Sequence, residues 1–333
     1  MSTEVLKLDC DNLVIGAGMA GLVAALRLKG KTIVASAGMG ATAISSGVLS
    51  SPNRDPVVDK WFLETMYDTS CRYVEGRCIS DLGAYRSGLV QEIVNYDPVG
   101  GKPLMVSLDG VLPSGARNIC IPDFGGRSCM EIAKLVDTDD RTLELISGAL
   151  GGTGSSVLVL PPVLGITRTD EIRRSLERVT GARIFEYVTA PSVHGLRLLT
   201  ALRKIADSRK DITVLDTARV NNIQDCVTGH MGTKGKREFV VGASTLIIAT
   251  GGPMTGLRVE GDSVIEPLTG EIVGDVDQGL NKRFISDHPL MGKGIGTQPE
   301  VSGPFRTIRA VGGIASGFGL YEALQTGYYA GSL

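Results

Sequence analysis

Residues Asn12 to Ile15 form a short apolar run that breaks at Gly16-Ala17-Gly18-Met19-Ala20-Gly21. It opens into Leu22-Val23-Ala24-Ala25-Leu26-Arg27-Leu28, which has helical spacing and strong helix formers. Strand, glycine turn and helix in that order leave few folds open. In this context Gly16 makes the tight turn, Gly18 lets the backbone approach a diphosphate, and Gly21 lets helix and strand pack closely. The helix N-terminus adds N–H donors and the positive end of its dipole. Gly30-Lys31 ends the helix, and Thr32 to Ser36 reads as a second, parallel strand that completes a βαβ unit. A ligand of such a unit sits at the carboxyl ends of the strands, so Gly16, Ala17, Gly18, Met19, Ala20 and Gly21 are the first candidate binding residues. The acidic residue expected about 20 positions on, where it would take the ribose hydroxyls, is absent. The second strand ends in Ala35 and Ser36, and Ser36 replaces one hydrogen bond at most.

Glycine is abundant, 44 of 333 residues, close to twice the usual share of roughly 7%. The glycines are scattered among Val, Ile and Leu without a G-X-Y period, which excludes a collagen-like or low-complexity chain and leaves a globular α/β protein. A net charge of −2 gives no basic field, so nucleic acid is not an expected partner. The six cysteines, Cys10, Cys71, Cys78, Cys120, Cys129 and Cys226, form no C-x-x-C and no cluster with histidine, so no metal or iron–sulfur site is expected. The polar start MSTEVLKLDCDN and the lack of an apolar stretch of about 18 residues lead to the expectation of a cytoplasmic chain with no direct membrane span. Any contact with the inner face of a membrane would come through a partner subunit.

Along the chain, Ala37 to Pro56 reads as a small-residue loop able to lie against a ligand. From Val57 to Ser192 the pattern changes: a helix from Val58 to Val74, a hairpin around Asp109-Gly110, a strand from Ser156 to Leu160, and an amphipathic helix from Thr169 to Val179 with Thr169 as N-cap. The pattern of the first 56 residues returns with a helix from Val193 to Ser208, a strand Ile212 to Leu215, a hairpin-like pair from Arg219 to Val241, and a buried strand ending Ala249-Thr250-Gly251-Gly252. A glycine- and proline-rich excursion from Pro253 to Pro304 precedes a strand Thr307 to Val311, the turn Gly312-Gly313-Ile314, and a last helix whose Tyr321, Tyr328 and Tyr329 read as core packing. The expected fold is a Rossmann-like α/β dinucleotide-binding domain built from discontinuous segments 1–56, 193–256 and 305–333. Segments 57–192 and 257–304 are the expected inserted α+β domain for substrate and partners.

Three glycine-rich turns, at the start, middle and end of one chain, resemble the two-dinucleotide-binding-domain flavoproteins. That likeness marks Thr250, Gly251, Gly312, Gly313 and Ile314 as cofactor-binding candidates. Ser45, Ser46 and Gly47 are expected to contact the flavin through backbone and hydroxyl. A narrower set of segments runs in one order over most of the chain: Val14 to Leu28, Ser45-Ser46-Gly47, Ala190-Pro191-Ser192-Val193-His194-Gly195-Leu196-Arg197-Leu198, Leu246 to Gly252, Ile265-Glu266-Pro267, and Ala310 to Phe318. These look like the B-type subunit of the anaerobic glycerol-3-phosphate dehydrogenase. The resemblance implies a flavin protein that oxidises sn-glycerol 3-phosphate to dihydroxyacetone phosphate. It also implies two partners, an A-like flavoprotein subunit and a C-like iron–sulfur subunit that passes electrons to quinone. The diphosphate-shaped glycine turn favours FAD. FMN, usual in that family and free of adenosine, is the alternative.

That reaction needs a group to take the hydroxyl proton and cations to hold the phosphate. His194 is the candidate base, with a structural role at a helix start as its alternative. His288, before a Gly-Lys-Gly loop, is placed to face the cofactor, whereas His230 reads as an exposed turn residue. Arg197, Arg306 and Lys293 are the candidate phosphate ligands, and Glu266, held extended by Pro267, is a candidate acid or arginine partner. Two other readings stay open: a non-catalytic flavin-bearing relay or scaffold subunit, and a flavoprotein reductase acting on another small hydroxy or enoate substrate.

Overall fold

Apolar residues on consecutive positions of a short strand call for burial on both faces, and the central strands meet that demand. The computed structural model describes residues 5–45, 47, 49, 51, 53–67, 104–107, 117–120, 127–151, 154, 157–186, 193–224, 226–233, 237–252, 256–276, 293–300, 303–315 and 319–332. The chain divides into two units. The first comprises Met1–Thr42, Leu49–Phe62 and Leu202–Leu333, and the second Ala43–Val48 and Leu63–Ala201.

In the first unit, β1 (Leu6–Asp9) and β2 (Asn12–Ile15) lead into α1 (Met19–Arg27) and β3 (Thr32–Ser36). The chain continues through α2 (Ala41–Ile44), a turn of helix inside the expected loop, and α3 (Pro56–Tyr67). In the second unit come β4 (Leu104–Ser107), β5 (Arg117–Cys120), α4 (Cys129–Thr138), α5 (Asp140–Leu150), β6 (Val157–Leu160), α6 (Thr169–Thr180) and β7 (Arg183–Glu186). Helix α7 (Val193–Ser208) carries the chain back to the first unit. There follow β8 (Ile212–Asp216), β9 (Ala218–Asn222), β10 (Val227–Met231), β11 (Arg237–Gly242), β12 (Thr245–Ile248), β13 (Arg258–Glu260), β14 (Ser263–Ile265), β15 (Ile272–Asp275), β16 (Thr307–Ala310) and α8 (Leu320–Ala330).

Strands β16, β12, β2, β3 and β8 form a parallel sheet in that order. Pleating sorts its residues between two faces. Leu13, Ile15, Ile33, Ala35, Leu246 and Ile248 enter one core with Val220, Val227, Phe239 and Val241 of a second sheet, ordered β1-β11-β10-β9. The alternate residues Val14, Val34 and Ile247, equally buried, leave the opposite face for α1, which packs on β2, β3 and α8. Residues 257–304, expected in the inserted domain, fall in the first unit, where β13, β14 and β15 make an antiparallel meander.

The second unit is built on a parallel sheet ordered β5-β4-β6-β7. Because β4 and β5 run parallel, the hairpin expected at Asp109-Gly110 does not join them, and 108–116 lie outside the described residues. Helices α4, α5 and α6 bury Ile132, Ile146, Ile172 and Leu176 against Leu158 and Ile184 of the sheet. Ser128 and Glu131 close a reciprocal cap on α4. Thr169 is not the N-cap of α6. Its hydroxyl donates to the Gly165 carbonyl, and Asp137 from α4 accepts the preceding N–H groups of Ile166, Thr167 and Arg168.

Candidate functional site

The chain passes from β2 to β3 on one side and later reaches β12 on the other, so the strand order reverses at β2. The carboxyl ends of β2 and β12 therefore border the crevice in which open α/β sheets bind ligands. Gly16 follows β2 with φ 114°, and its N–H donates to Ala35 at 2.8 Å. A β-carbon there would overlap the carbonyl of Ala249, and one at Gly21 would overlap the carbonyl of Gly16. Met19 and Ala20 are buried, so residues 16–21 offer backbone, not side chains, to the crevice. The Gly18 cap of α1 makes no side-chain bond. Instead the Thr42 hydroxyl, delivered by α2, accepts from Met19 N–H at 3.0 Å. Sequence reasoning did not single out Thr42, which looks like one more small residue in the Gly-Ala-Ser stretch.

The other two glycine turns converge on the same edge. A β-carbon on Gly252 would lie 3.1 Å from the backbone of Gly313, and one on Gly312 would lie 3.0 Å from the Ala20 Cβ. Gly312 N–H donates to Thr326 of α8 at 2.8 Å, and Ile314 accepts from Ile295 N–H at 2.8 Å. Thr250, Gly251, Gly312, Gly313 and Ile314 thus join Gly16 to Gly21 in one backbone-lined edge. Lys293, exposed, directly precedes Gly294, which packs on Ile314. Arg306 is not brought there. It precedes β16, where its N–H donates to Ser244 at the amino end of the sheet, about a strand's length from the crevice. Ser36 is buried at the end of β3, level with Asp216 of β8. That neighbouring acid was also missed, and Arg203 grips it at 2.8 and 2.9 Å.

Glu266 is fully buried. Its carboxyl accepts from the N–H groups of Leu268 (2.9 Å) and Thr269 (2.7 Å) and from the Thr250 hydroxyl (3.4 Å), so it ties the turn after β14 to the middle glycine turn. No arginine is among these partners. Burial raises its carboxyl above the ordinary range, against the pull of those hydrogen bonds. Glu271 is raised too, by burial and by Glu266 and Glu300.

The second unit gathers a different group. Arg197 of α7 is buried, with Nη1 and Nη2 on the Glu186 carboxylate at 2.5 and 3.1 Å and Nε on the Gly165 carbonyl at 2.6 Å. Its guanidinium is committed inside the protein and is not presented to a phosphate, which corrects the sequence expectation. Burial pushes the Glu186 carboxyl up, but Arg197 outweighs it and holds the group below the ordinary range. His194 is buried with Nδ1 3.4 Å from Arg197 Nη1. Gly47 (φ 73°) packs on it, and Gly47 N–H donates to the Ser45 hydroxyl at 3.3 Å. Ser46 and His288 lie outside the described residues. His230 is not a turn residue. It sits in β10, with Nδ1 3.1 Å from Asn221 Nδ2. Among the described residues no group of three His, Cys, Asp or Glu is placed to hold a metal, and no helix is long and apolar enough to cross a membrane.

A family profile described as FAD binding domain matches residues 11–275. No curated relative matches significantly. Among solved structures, the chain is similar to an E. coli quinol fumarate reductase (13% identity, 74% of this chain and 33% of that one, TM-score 0.29). It is also similar to a flavocytochrome c3 fumarate reductase (18%, 74% and 34%, TM-score 0.29). A third is adenylylsulfate reductase from Archaeoglobus fulgidus (14%, 78% and 33%, TM-score 0.28). The chain spans about a third of the length of these structures.

Proposed function

Because the chain belongs to the FAD binding domain family, we propose that it is the flavin subunit of an oxidoreductase, with sn-glycerol 3-phosphate as substrate and dihydroxyacetone phosphate as product. The observation that carries the flavin part is the convergence of three glycine turns on one backbone-lined edge, where β-carbons at Gly16 and Gly252 would meet neighbouring backbone. That edge fits FAD: it offers N–H donors at the start of α1 and closely packed glycines where a diphosphate needs room. Gly16 to Gly21, Thr250, Gly251 and Gly312 to Ile314 would hold it. Bound FAD supplies the two-electron acceptor. Around it, Thr42 fixes the first turn of α1 and Glu266 steadies Thr250.

The choice of substrate rests on the ordered segments that resemble the B-type subunit of the anaerobic glycerol-3-phosphate dehydrogenase. On that reading the chain works beside an A-like flavoprotein and a C-like iron–sulfur subunit. Lys293, exposed beside the glycine turns, is the proposed cation for the phosphate. The relay reading draws support from a specific observation: of the three candidate phosphate ligands, Arg197 is paired with Glu186 and Arg306 stands away from the crevice.

The test begins with gentle purification, release of the yellow cofactor and its chromatographic identification. FAD at one per chain supports the reading, and a colourless folded protein sinks it. Anaerobic glycerol 3-phosphate should then bleach the visible band. Bleaching only in the presence of the partner subunits moves the case to the relay.

A further inference from the structure

Ser36 ends β3, the strand whose carboxyl end carries the acid for the ribose hydroxyls in a dinucleotide-binding unit. The residues that follow leave that strand end open: β-carbons at Gly38 and Gly40 would meet nothing within 4 Å. The next strand over is β8, whose last residue, Asp216, pairs in register with Ser36. Neighbouring strands lie about 4.8 Å apart and their paired residues share a face, so Asp216 stands one strand spacing from the place of the missing acid. Both strands, α1 and the first glycine turn belong to the same unit.

We propose that Asp216 takes over from the missing acid and accepts the ribose hydroxyls of FAD's adenosine, with Arg203 as its positioning residue. This rests on the flavin reading above and adds to it a residue that grips the adenosine half. Arg203 Nη1 and Nη2 donate one bond to each Asp216 oxygen, at 2.8 and 2.9 Å, while Nε is spent on Asp207. A carboxylate has about four lone-pair sites, so each oxygen keeps room for a hydroxyl, and two adjacent acceptors suit the vicinal pair of a ribose. The Asp216 side chain is 67% exposed, which leaves those sites open. An ion pair this exposed adds little stability, but a two-pronged grip fixes the plane of the carboxylate. Its hydrogen bonds to Arg203 also hold the carboxyl below the ordinary range, so it stays an ionised acceptor. The backbone is fixed as well. Thr217, directly after Asp216, has φ 52°, the one positive value outside glycine among the described residues. A β-branched residue there is strained and persists only where its surroundings hold it. Gly232 N–H does so, donating to the Thr217 carbonyl at 3.2 Å.

The test is a fluorescence titration of the flavin-stripped full chain with FAD and with FMN, which lacks the adenosine and serves as internal control. Wild type should bind FAD the more tightly. Asp216→Ala should weaken FAD by roughly 10- to 100-fold and leave FMN unchanged. Arg203→Met, which keeps the acid but frees it, should weaken FAD by less and leave FMN alone. Asp216→Asn, which keeps the shape and one acceptor, should fall between and serves where the alanine variant does not fold. An FAD analogue lacking the adenosine 2′-hydroxyl should bind wild type more weakly than FAD does, a difference that Asp216→Ala abolishes. Unchanged FAD affinity in Asp216→Ala, or an equal fall for both flavins, overturns the proposal and leaves the flavin reading standing. Uptake of neither flavin by wild type is the separate result that ends the flavin reading and this proposal with it.

Discussion

Gly16 and Ala249 meet backbone to backbone at the carboxyl ends of neighbouring parallel strands, so closely that no β-carbon fits at position 16. The same residue has φ 114°, a conformation that strains any L side chain. Gly16→Ala combines both penalties and is expected to destabilise the first unit by about 2–4 kcal/mol. It should also release the flavin. Thermal unfolding of the stripped protein separates the two effects, and a variant as stable as wild type would show that the turn is not built as described.

Thr42 reaches from α2 to the first turn of α1, where Gly18 leaves the N–H groups without a side-chain cap. Thr42→Val keeps the shape and removes the acceptor, which should cost about 1–2 kcal/mol. Thr42→Ser should restore most of it. Flavin affinity, read by fluorescence on dilution, is expected to follow the same order, because Thr42 holds in place the turn whose other N–H groups are offered to the diphosphate. Equal affinity in all three proteins would separate the cap from the binding site.

Glu266 is a buried carboxyl whose protonation is favoured by burial. An acid with a folded pKa above its unfolded value binds more protons when folded, so it subtracts stability as pH rises from about 4.5 toward the folded value. Glu266→Gln removes that dependence. One glutamine oxygen can accept from both Leu268 and Thr269, as one carboxyl oxygen does now, and its amide faces the Thr250 hydroxyl. The expected outcome is a variant at least as stable as wild type at pH 7, with a flatter rise of stability toward acid. Glu266→Ala, which removes the acceptor of two part-buried N–H groups, should lose about 1–3 kcal/mol.

The frame of the first unit could be read from local pattern because its signals are local. Asn12–Ile15, the glycine turn and Thr32–Ser36 appear as expected, since a buried parallel strand writes itself as an unbroken apolar run. The packing of Gly252 on Gly313 was not legible, because the contact joins far-apart parts of the chain; only the resemblance to flavoproteins placed both turns beside one cofactor. Where the structure departs from the local reading, a tertiary relation decides. Arg197 reads as a phosphate ligand and Glu266 as an acid or arginine partner, and only tertiary packing shows that both are buried. Arg306 sits at the wrong end of a strand because strand direction, not proximity to a glycine turn, decides which end meets the ligand. The hairpin expected at Asp109-Gly110 lies outside the described residues.

Arg197 and Glu186 give the sharpest test of the second unit. While the pair is intact, the Glu186 carboxyl is held below its ordinary 4.5, so it adds stability above that value which is lost as pH falls through the folded pKa. Arg197→Met leaves an uncompensated buried charge and should cost about 3–5 kcal/mol at pH 7. Without the guanidinium, burial, the largest influence on Glu186, is opposed only by His194 and the Leu164 N–H and should reverse the slope: the variant should gain stability relative to wild type as pH falls from 7 toward 5. Adding Glu186→Gln removes the charge but keeps an acceptor for the Leu164 N–H, and should recover part of the loss. Urea unfolding of the three proteins at both pH values decides it. Parallel pH profiles for wild type and Arg197→Met would mean that Glu186 is reached by water.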